Sequence, residues 1–213
     1  MLKPLLYDAR TEPRKGREQD WPSPAPLTLP DWEAIENLPP AEPFESGDNI
    51  YLANAPVRQV YLIRRGVVKL KCYGYNRREM IVGIRSSGWL LGADSAILGR
   101  PYVCTAVAIS DGEISSFTKA EFLQAIQTPG ALAHHLQVNL SQGAHAFLAA
   151  QVGLRSESAQ QRLEHFLNDI KALADAVGEP KPPLSQVEMA QLLSMTPEHL
   201  CRIMSKKRQE RSF

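Results

Sequence analysis

Glu198 and Arg202 stand four residues apart near the C-terminus, so a helix would carry both on one face. Their chemistry is directional hydrogen bonding. An arginine fork bonds guanine O6 and N7 together, and a glutamate accepts from cytosine N4. Lys206, Lys207, Arg208 and Arg211 follow and extend the positive charge. The bland reading of the same pair is a surface bridge along one helix. What surrounds the pair has to decide between the two.

Residues 184–207 read LSQVEMAQLLSMTPEHLCRIMSKK. Ser185 is placed to cap a helix, and Glu188 completes a capping box with it. Val187, Met189, Ala190, Leu192 and Leu193 form its apolar face. Ser194 and Met195 break it. Thr196 then caps a second helix, with Pro197 at the first helical position and Leu200, Ile203 and Met204 turned inward. Two short helices with so tight a turn predict a helix-turn-helix, whose second helix enters a DNA major groove by its N-terminal end. On that reading Glu198 and Arg202 face bases. Ser185, Gln186, Thr196, Lys206 and Lys207 face phosphates, with Pro197 beside them at the helix start.

Upstream the pattern changes twice. Val60–Arg64 and Val67–Cys72 flank Gly66 as a hairpin, and Met80–Ile84, Cys104–Ile109 and Glu113–Phe117 read as further strands between turns. Many short strands favour an antiparallel roll over a parallel sheet. After Thr118 the period becomes helical. Thr118 and Glu121 are spaced as a capping box, and Thr128–Pro129 is expected to start a long helix to about Gly153. Leu132, Leu136, Leu140, Gly143, Phe147, Ala150 and Leu154 make one stripe along it. The stripe predicts a dimer seam, with packing onto the chain's own roll as the other reading. A helix over about Glu157–Val177 and a proline-rich connection at Glu179–Pro183 complete the chain. The fold class expected is α+β.

Nine of the 16 prolines fall in residues 1–43. Proline removes backbone donors and extends the residue before it, so residues 1–30 read as an extended or disordered arm, with a short helix near Asp31–Asn37. The organisation expected is an arm at 1–30, a sensor roll at 31–127, a dimerisation helix at 128–155 and a DNA-binding domain at 156–213.

Composition narrows the function. The 213 residues hold 24 Lys plus Arg and 23 Asp plus Glu, a net +1 that excludes a histone-like protein. The balance hides an asymmetry. Residues 199–213 hold five basic side chains against Glu210, a net +4, which leaves −3 on the rest. A basic tip on a mildly acidic body suits a nucleic-acid reader. Three scattered cysteines suggest free thiols in a reducing cytoplasm. No apolar run reaches the roughly 18 residues of a membrane span. No nucleotide loop, nucleophile elbow or metal-spaced cluster suggests an enzyme.

In order and motif the chain resembles the Crp/Fnr family of transcription regulators across about residues 40–207. YLIRRGVVKL (61–70) looks like the family's roll hairpin. GWLLGADSAILGRP (88–101) looks like its phosphate cassette, and LSQVEMAQLLSMTPEHLCRIM (184–204) like its helix-turn-helix. The resemblance implies a cyclic-nucleotide-binding-like roll, a dimerisation helix with a seam through Leu132, Leu136, Leu140, Phe147 and Leu154, and a helix-turn-helix domain. It also implies a homodimer on a palindromic double-stranded DNA operator, with RNA polymerase as a further partner.

Two features depart from the family. The effector pocket would lie at Gly92, Ala93, Arg100, Tyr102, Val103, Phe147 and Leu148. There Ala93, Tyr102 and Val103 replace the family's glutamate and Arg-Ser pair, and Phe147 and Leu148 replace the polar pair facing adenine. A buried phosphate without cation and donors is costly, so tight cyclic AMP binding is not expected. The family's iron–sulfur sensors carry cysteines mostly before the roll, and this chain has none before Cys72, which argues against a cluster. Haem stays open through His134, His135 and His145, though histidines on such a helix are usually surface residues. Ser194 stands where the family turn has glycine, at a cost of about 1 kcal/mol if its φ is positive. The family's β-hairpin wing would follow residue 207, but this sequence ends at Phe213. The alternative function is therefore a ligand-sensing roll that regulates a protein partner, with a decayed DNA-binding module.

Overall fold

The computed structural model of the chain describes residues 29, 32–74, 79–177 and 184–210. Most of the proline-rich arm and the Glu179–Pro183 connection lie outside the described residues.

Among the described residues eight strands form two antiparallel sheets. They are β1 (Ala41–Phe44), β2 (Asn49–Tyr51), β3 (Gln59–Arg65), β4 (Val68–Tyr73), β5 (Glu79–Arg85), β6 (Leu90–Leu91), β7 (Thr105–Ala108) and β8 (Gly112–Thr118). One sheet runs β1-β8-β3-β6 and the other β2-β7-β4-β5. The two strands expected to flank Gly66 as a hairpin form as β3 and β4, but they do not pair with each other. The two strands enter different sheets, so Gly66 turns a corner of the roll. Its φ is +95°, and a Cβ there would sit 2.8 Å from Asp111 O and from the Phe44 ring. Only glycine meets both demands. Val60, Leu62, Ile63 and Val68 point into the core, which also holds Trp89, Tyr102 and Phe122. Burying each such side chain stabilises the fold by about 1.5–3 kcal/mol.

The α+β class holds, and several elements differ in detail from their expected form. Strand β1 contains Pro43, and its first three residues are exposed, which suits its place at a sheet edge. The cassette contains a short helix, α1 (Ala93–Leu98), between Gly92 at φ 78° and Gly99 at φ 63°. The near end of the arm is docked. Leu29 is buried and its N–H donates to Ser87 O at 2.8 Å. The helix expected near Asp31–Asn37 is one 3-10 turn at Trp32–Ala34.

Helix α2 (Lys119–Ala125) carries the Thr118–Glu121 capping box in full. The long helix α3 (Ala131–Ser156) starts later than expected. Gly130, fully extended, is its N-cap, so Thr128 and Pro129 stay outside. The first carbonyl to accept a helical bond is that of Gly130, from His134 N. Helix α4 (Ala159–Val177) follows, then α5 (Gln186–Leu192) and α6 (Pro197–Glu210). Leu163, Ala190, Leu193 and Leu200 make a small core joining α4, α5 and α6. A second small core joins this module to the roll, with Val67, Ile84 and Ile109 against Ile170 and Leu173.

Candidate functional site

The C-terminal hairpin is built by its caps. Ser185 Oγ accepts from Glu188 N, and the Glu188 carboxylate accepts from Ser185 N at 2.8 Å. After Leu192 the chain turns through Ser194 at φ 51°, with Met195 N on Ala190 O at 3.0 Å. The turn is formed without glycine, and Ser194 takes the positive φ that was expected to carry a cost. Arg162 braces it, donating Nε to Leu193 O at 3.1 Å and Nη1 to Glu157 O at 2.8 Å. Thr196 Oγ1 accepts from His199 N at 3.2 Å, which caps α6 at Pro197. Leu200 is fully buried, while Ile203 and Met204 are half-buried. Val187, expected on the apolar face, is exposed.

The polar face stands clear. Ser185, Gln186, Thr196, Glu198, Arg202 and Lys206 are exposed, and Pro197 is half-buried. Glu198 and Arg202 form no bridge with each other among the described residues. Backbone N–H at the α6 N-terminus and the Thr196 hydroxyl hold the Glu198 carboxyl below its usual range, so it is an acceptor at neutral pH. Lys207 is engaged by Glu164 at 3.1 Å. One end of α6 thus offers an acceptor and a guanidinium side by side.

Two contacts missed in the sequence tie this hairpin to the roll. Lys69 Nζ on β4 meets Glu188 Oε1 at 2.5 Å, and Ile81 N on β5 donates to Gln191 Oε1 at 3.2 Å. Burial works to raise the Glu188 carboxyl, but Lys69 and Ser185 outweigh it and leave it below the usual range. The same carboxylate therefore caps α5 and clasps the roll. The capping spacing was visible in the sequence, but a partner 119 residues away was not.

The expected effector residues divide between the interior of the roll and its surface. Tyr102 is buried and stacks on Tyr51, with ring centroids 4.0 Å apart and planes 13° apart. Its hydroxyl donates to Gln59 O at 2.6 Å, and a Cβ on Gly92 would lie 2.6 Å from its ring. Ala93 is buried beneath. Tyrosine rings thus fill the space around Gly92, and burial pushes the phenols of Tyr51 and Tyr102 upward, so they stay neutral. Arg100 and Val103 point outward and are exposed. Phe147 and Leu148 are exposed on α3.

A cavity of about 570 Å³ lies elsewhere, between β5, the second half of α3, α4 and the end of α5. Of the expected pocket residues only Phe147 lines it. It also takes in Arg85, His165 and Asp169, which carried no signal in the sequence because each is placed by tertiary packing.

The α3 stripe divides. Leu132 and Leu136 are buried against the roll, whereas Leu140, Phe147 and Leu154 are exposed. Of the histidines, His135 is buried and its Nε2 lies 2.6 Å from Gly88 O, contrary to a surface position. His134 and His145 are exposed. Among the described residues no cluster of His, Cys, Asp or Glu is set to hold a metal ion. No helix among them is long and apolar enough to cross a membrane.

Residues 41–129 match the family model of the cyclic nucleotide-binding domain. The chain is 26% identical over 169 residues to the transcriptional regulatory protein btr of Bordetella pertussis (strain Tohama I), covering 76% of this chain and 68% of that protein. Its fold is that of FixK2 from Bradyrhizobium japonicum, with a TM-score of 0.68 at 20% identity over 80% of this chain and 85% of the other. It is also similar to TTHB099, a transcriptional regulator of the CRP family from Thermus thermophilus. There the TM-score is 0.63 at 18% identity, over 79% and 85% of the two chains.

Proposed function

From its likeness to the Crp/Fnr transcription regulators, we propose that this chain is a sequence-specific DNA-binding regulator of that type, acting in the cytoplasm as a homodimer and not as an enzyme. The observation that carries the reading is the exposed pair Glu198 and Arg202, not bridged to each other, at the capped start of α6. An exposed helix N-terminus with one acceptor and one guanidinium fork is the geometry of major-groove reading. The exposed run of Leu140, Phe147 and Leu154 supports pairing of two copies along α3. Two-fold symmetry then asks for a palindromic operator with half-sites roughly one turn of DNA apart. RNA polymerase is the partner through which such a regulator would act.

The reading is tested by selecting a binding site from random duplexes and measuring affinity on it. Arg202→Ala is expected to lose about 1–3 kcal/mol and to relax preference at one base pair of each half-site. Failure to select any sequence would leave a roll that regulates a protein partner. Unchanged binding by the variant would refute the assignment of α6. Cyclic AMP is not the effector on this reading, because the space around Gly92 is filled by tyrosine rings. Calorimetry with cyclic AMP is expected to give no low-micromolar binding.

A further inference from the structure

The cavity between the roll and the helical module has the chemistry of a binding site. Its volume of about 570 Å³ is in the range that holds small ligands. Phe147, Leu154, Phe166 and Leu192 give it apolar walls. Phe147 and Leu154 are exposed in the single chain, so the cavity opens toward the face of α3 along which a second copy is proposed to pack. An apolar body is what such walls favour.

One wall residue asks for more than an apolar body. Arg85, at the end of β5, lays its guanidinium 4.2 Å from the centre of the Trp89 ring. Its Nη1 donates to Ile84 O at 2.8 Å. Gly83 makes room for it, since a Cβ there would lie 2.9 Å from Nη1. Among the described residues no carboxylate pairs with it. The other charged groups of the wall are spoken for. Glu157 pairs with His165 at 3.3 Å, and Arg162 spends its donors on Leu193 O and Glu157 O. Asp169 faces His165 on its own helix. An arginine has five N–H donors, and most of those on Arg85 remain to be used. A desolvated guanidinium without an anion is costly, and a carboxylate matches its fork in a bidentate way. A carboxylate is matched by that one fork, and Phe147, Leu154, Phe166 and Leu192 leave much of the remaining wall apolar.

We propose that this cavity binds an apolar carboxylate, aromatic or medium-chain, with Arg85 as its anchor. The body of the ligand lies against Phe147, Phe166 and Leu192. The site spans β5 and the end of α5, so an occupant touches both the roll and the helix-turn-helix. That regulatory consequence rests on the DNA-binding reading above, whereas the binding itself does not.

The test uses the full chain without DNA. The fluorescent aromatic anion 1-anilinonaphthalene-8-sulfonate is titrated in and then displaced by decanoate or by 1-decanol. One saturable site per chain is expected, with decanoate displacing at least tenfold better than the neutral alcohol. Arg85→Met is expected to weaken decanoate at least tenfold and leave 1-decanol unchanged, and Arg85→Lys to recover part of the loss. Cyclic AMP is expected not to displace the probe. Equal competition by acid and alcohol would overturn the proposal, and that comparison needs no variant. So would displacement by cyclic AMP, unchanged decanoate binding in a folded Arg85→Met, or no probe binding because a second copy fills the cavity. Selection of an operator by a chain that fails this test would sink the ligand site and leave the DNA reading standing.

Discussion

The two halves of α3 carry the same stripe and meet different fates. In the first half Leu132 and Leu136 are 9% and 7% exposed and belong to the core of the roll. From Leu140 onward the stripe is open, with Leu140, Phe147 and Leu154 at 41%, 64% and 41% exposed. Spacing alone treats these residues alike. What separates them is the reach of the roll. The 3-10 turn at Trp32–Ala34 and the segment around Gly88 pack on the first turns of the helix, and Trp89 reaches Gly143 on a face that leaves the later stripe residues open. Apolar periodicity says that a face needs cover and leaves open what covers it.

The largest expected effect breaks the comparison at its buried end. Leu136→Ala removes a packed side chain and should cost about 2–4 kcal/mol in urea unfolding. Leu154→Ala should cost under about 1 kcal/mol in the same measurement on the dissociated chain. Equal losses would mean that the second half of α3 has cover of its own within one chain.

The next effect belongs to association. Phe147→Glu puts a charge in the exposed half, where a second copy is proposed to pack. The dimer dissociation constant should rise at least tenfold by sedimentation, with little change in the unfolding of the roll. A variant that stays dimeric at the same concentration would move the seam away from α3.

The same contrast marks how far the sequence could be read. The helix-turn-helix was legible because its signals are local. Ser185 with Glu188 and Thr196 with Pro197 each act within one helical turn, and the turn at Ser194 forms without glycine. The two strands on either side of Gly66 were legible for the same reason, but their entry into different sheets was not. The start of α3 was not, because an extended Gly130 overrode a good Thr-Pro signal. Helix α1 hid between two glycines that read as turns. Leu29 reads as part of a proline-rich arm, but Gly88 lets it close on the roll, since a Cβ at Gly88 would strike Leu29 O. The clasp from Lys69 to Glu188 and the Arg85 cavity depend on residues far apart in sequence, where no spacing rule applies.

The smallest expected effect sharpens the contrast on the far side of the cavity, at Asp169 of α4. Burial raises its carboxyl from 3.8 to about 6, and nearby His165 opposes the rise. Glu157, Arg162 and Arg85 are the other charged groups lining the same cavity. A raised carboxyl favours folding while it is protonated. That contribution is fully present below about pH 3.8 and is lost as pH rises through about 6. Because the side chain is only partly buried, solvent screening reduces the effect to about 1 kcal/mol. Asp169→Asn keeps the shape and removes the charge, so it should be more stable than the parent by about that amount at neutral pH. The difference should shrink toward zero near pH 4. Every other titratable group is common to both chains, so comparing the two by urea unfolding at each pH isolates the carboxylate. A difference that does not change with pH would show that the Asp169 charge is compensated in the folded chain. Arg85 would then be the first partner to examine, and the cavity would hold an internal ion pair in place of an open anchor for an anion.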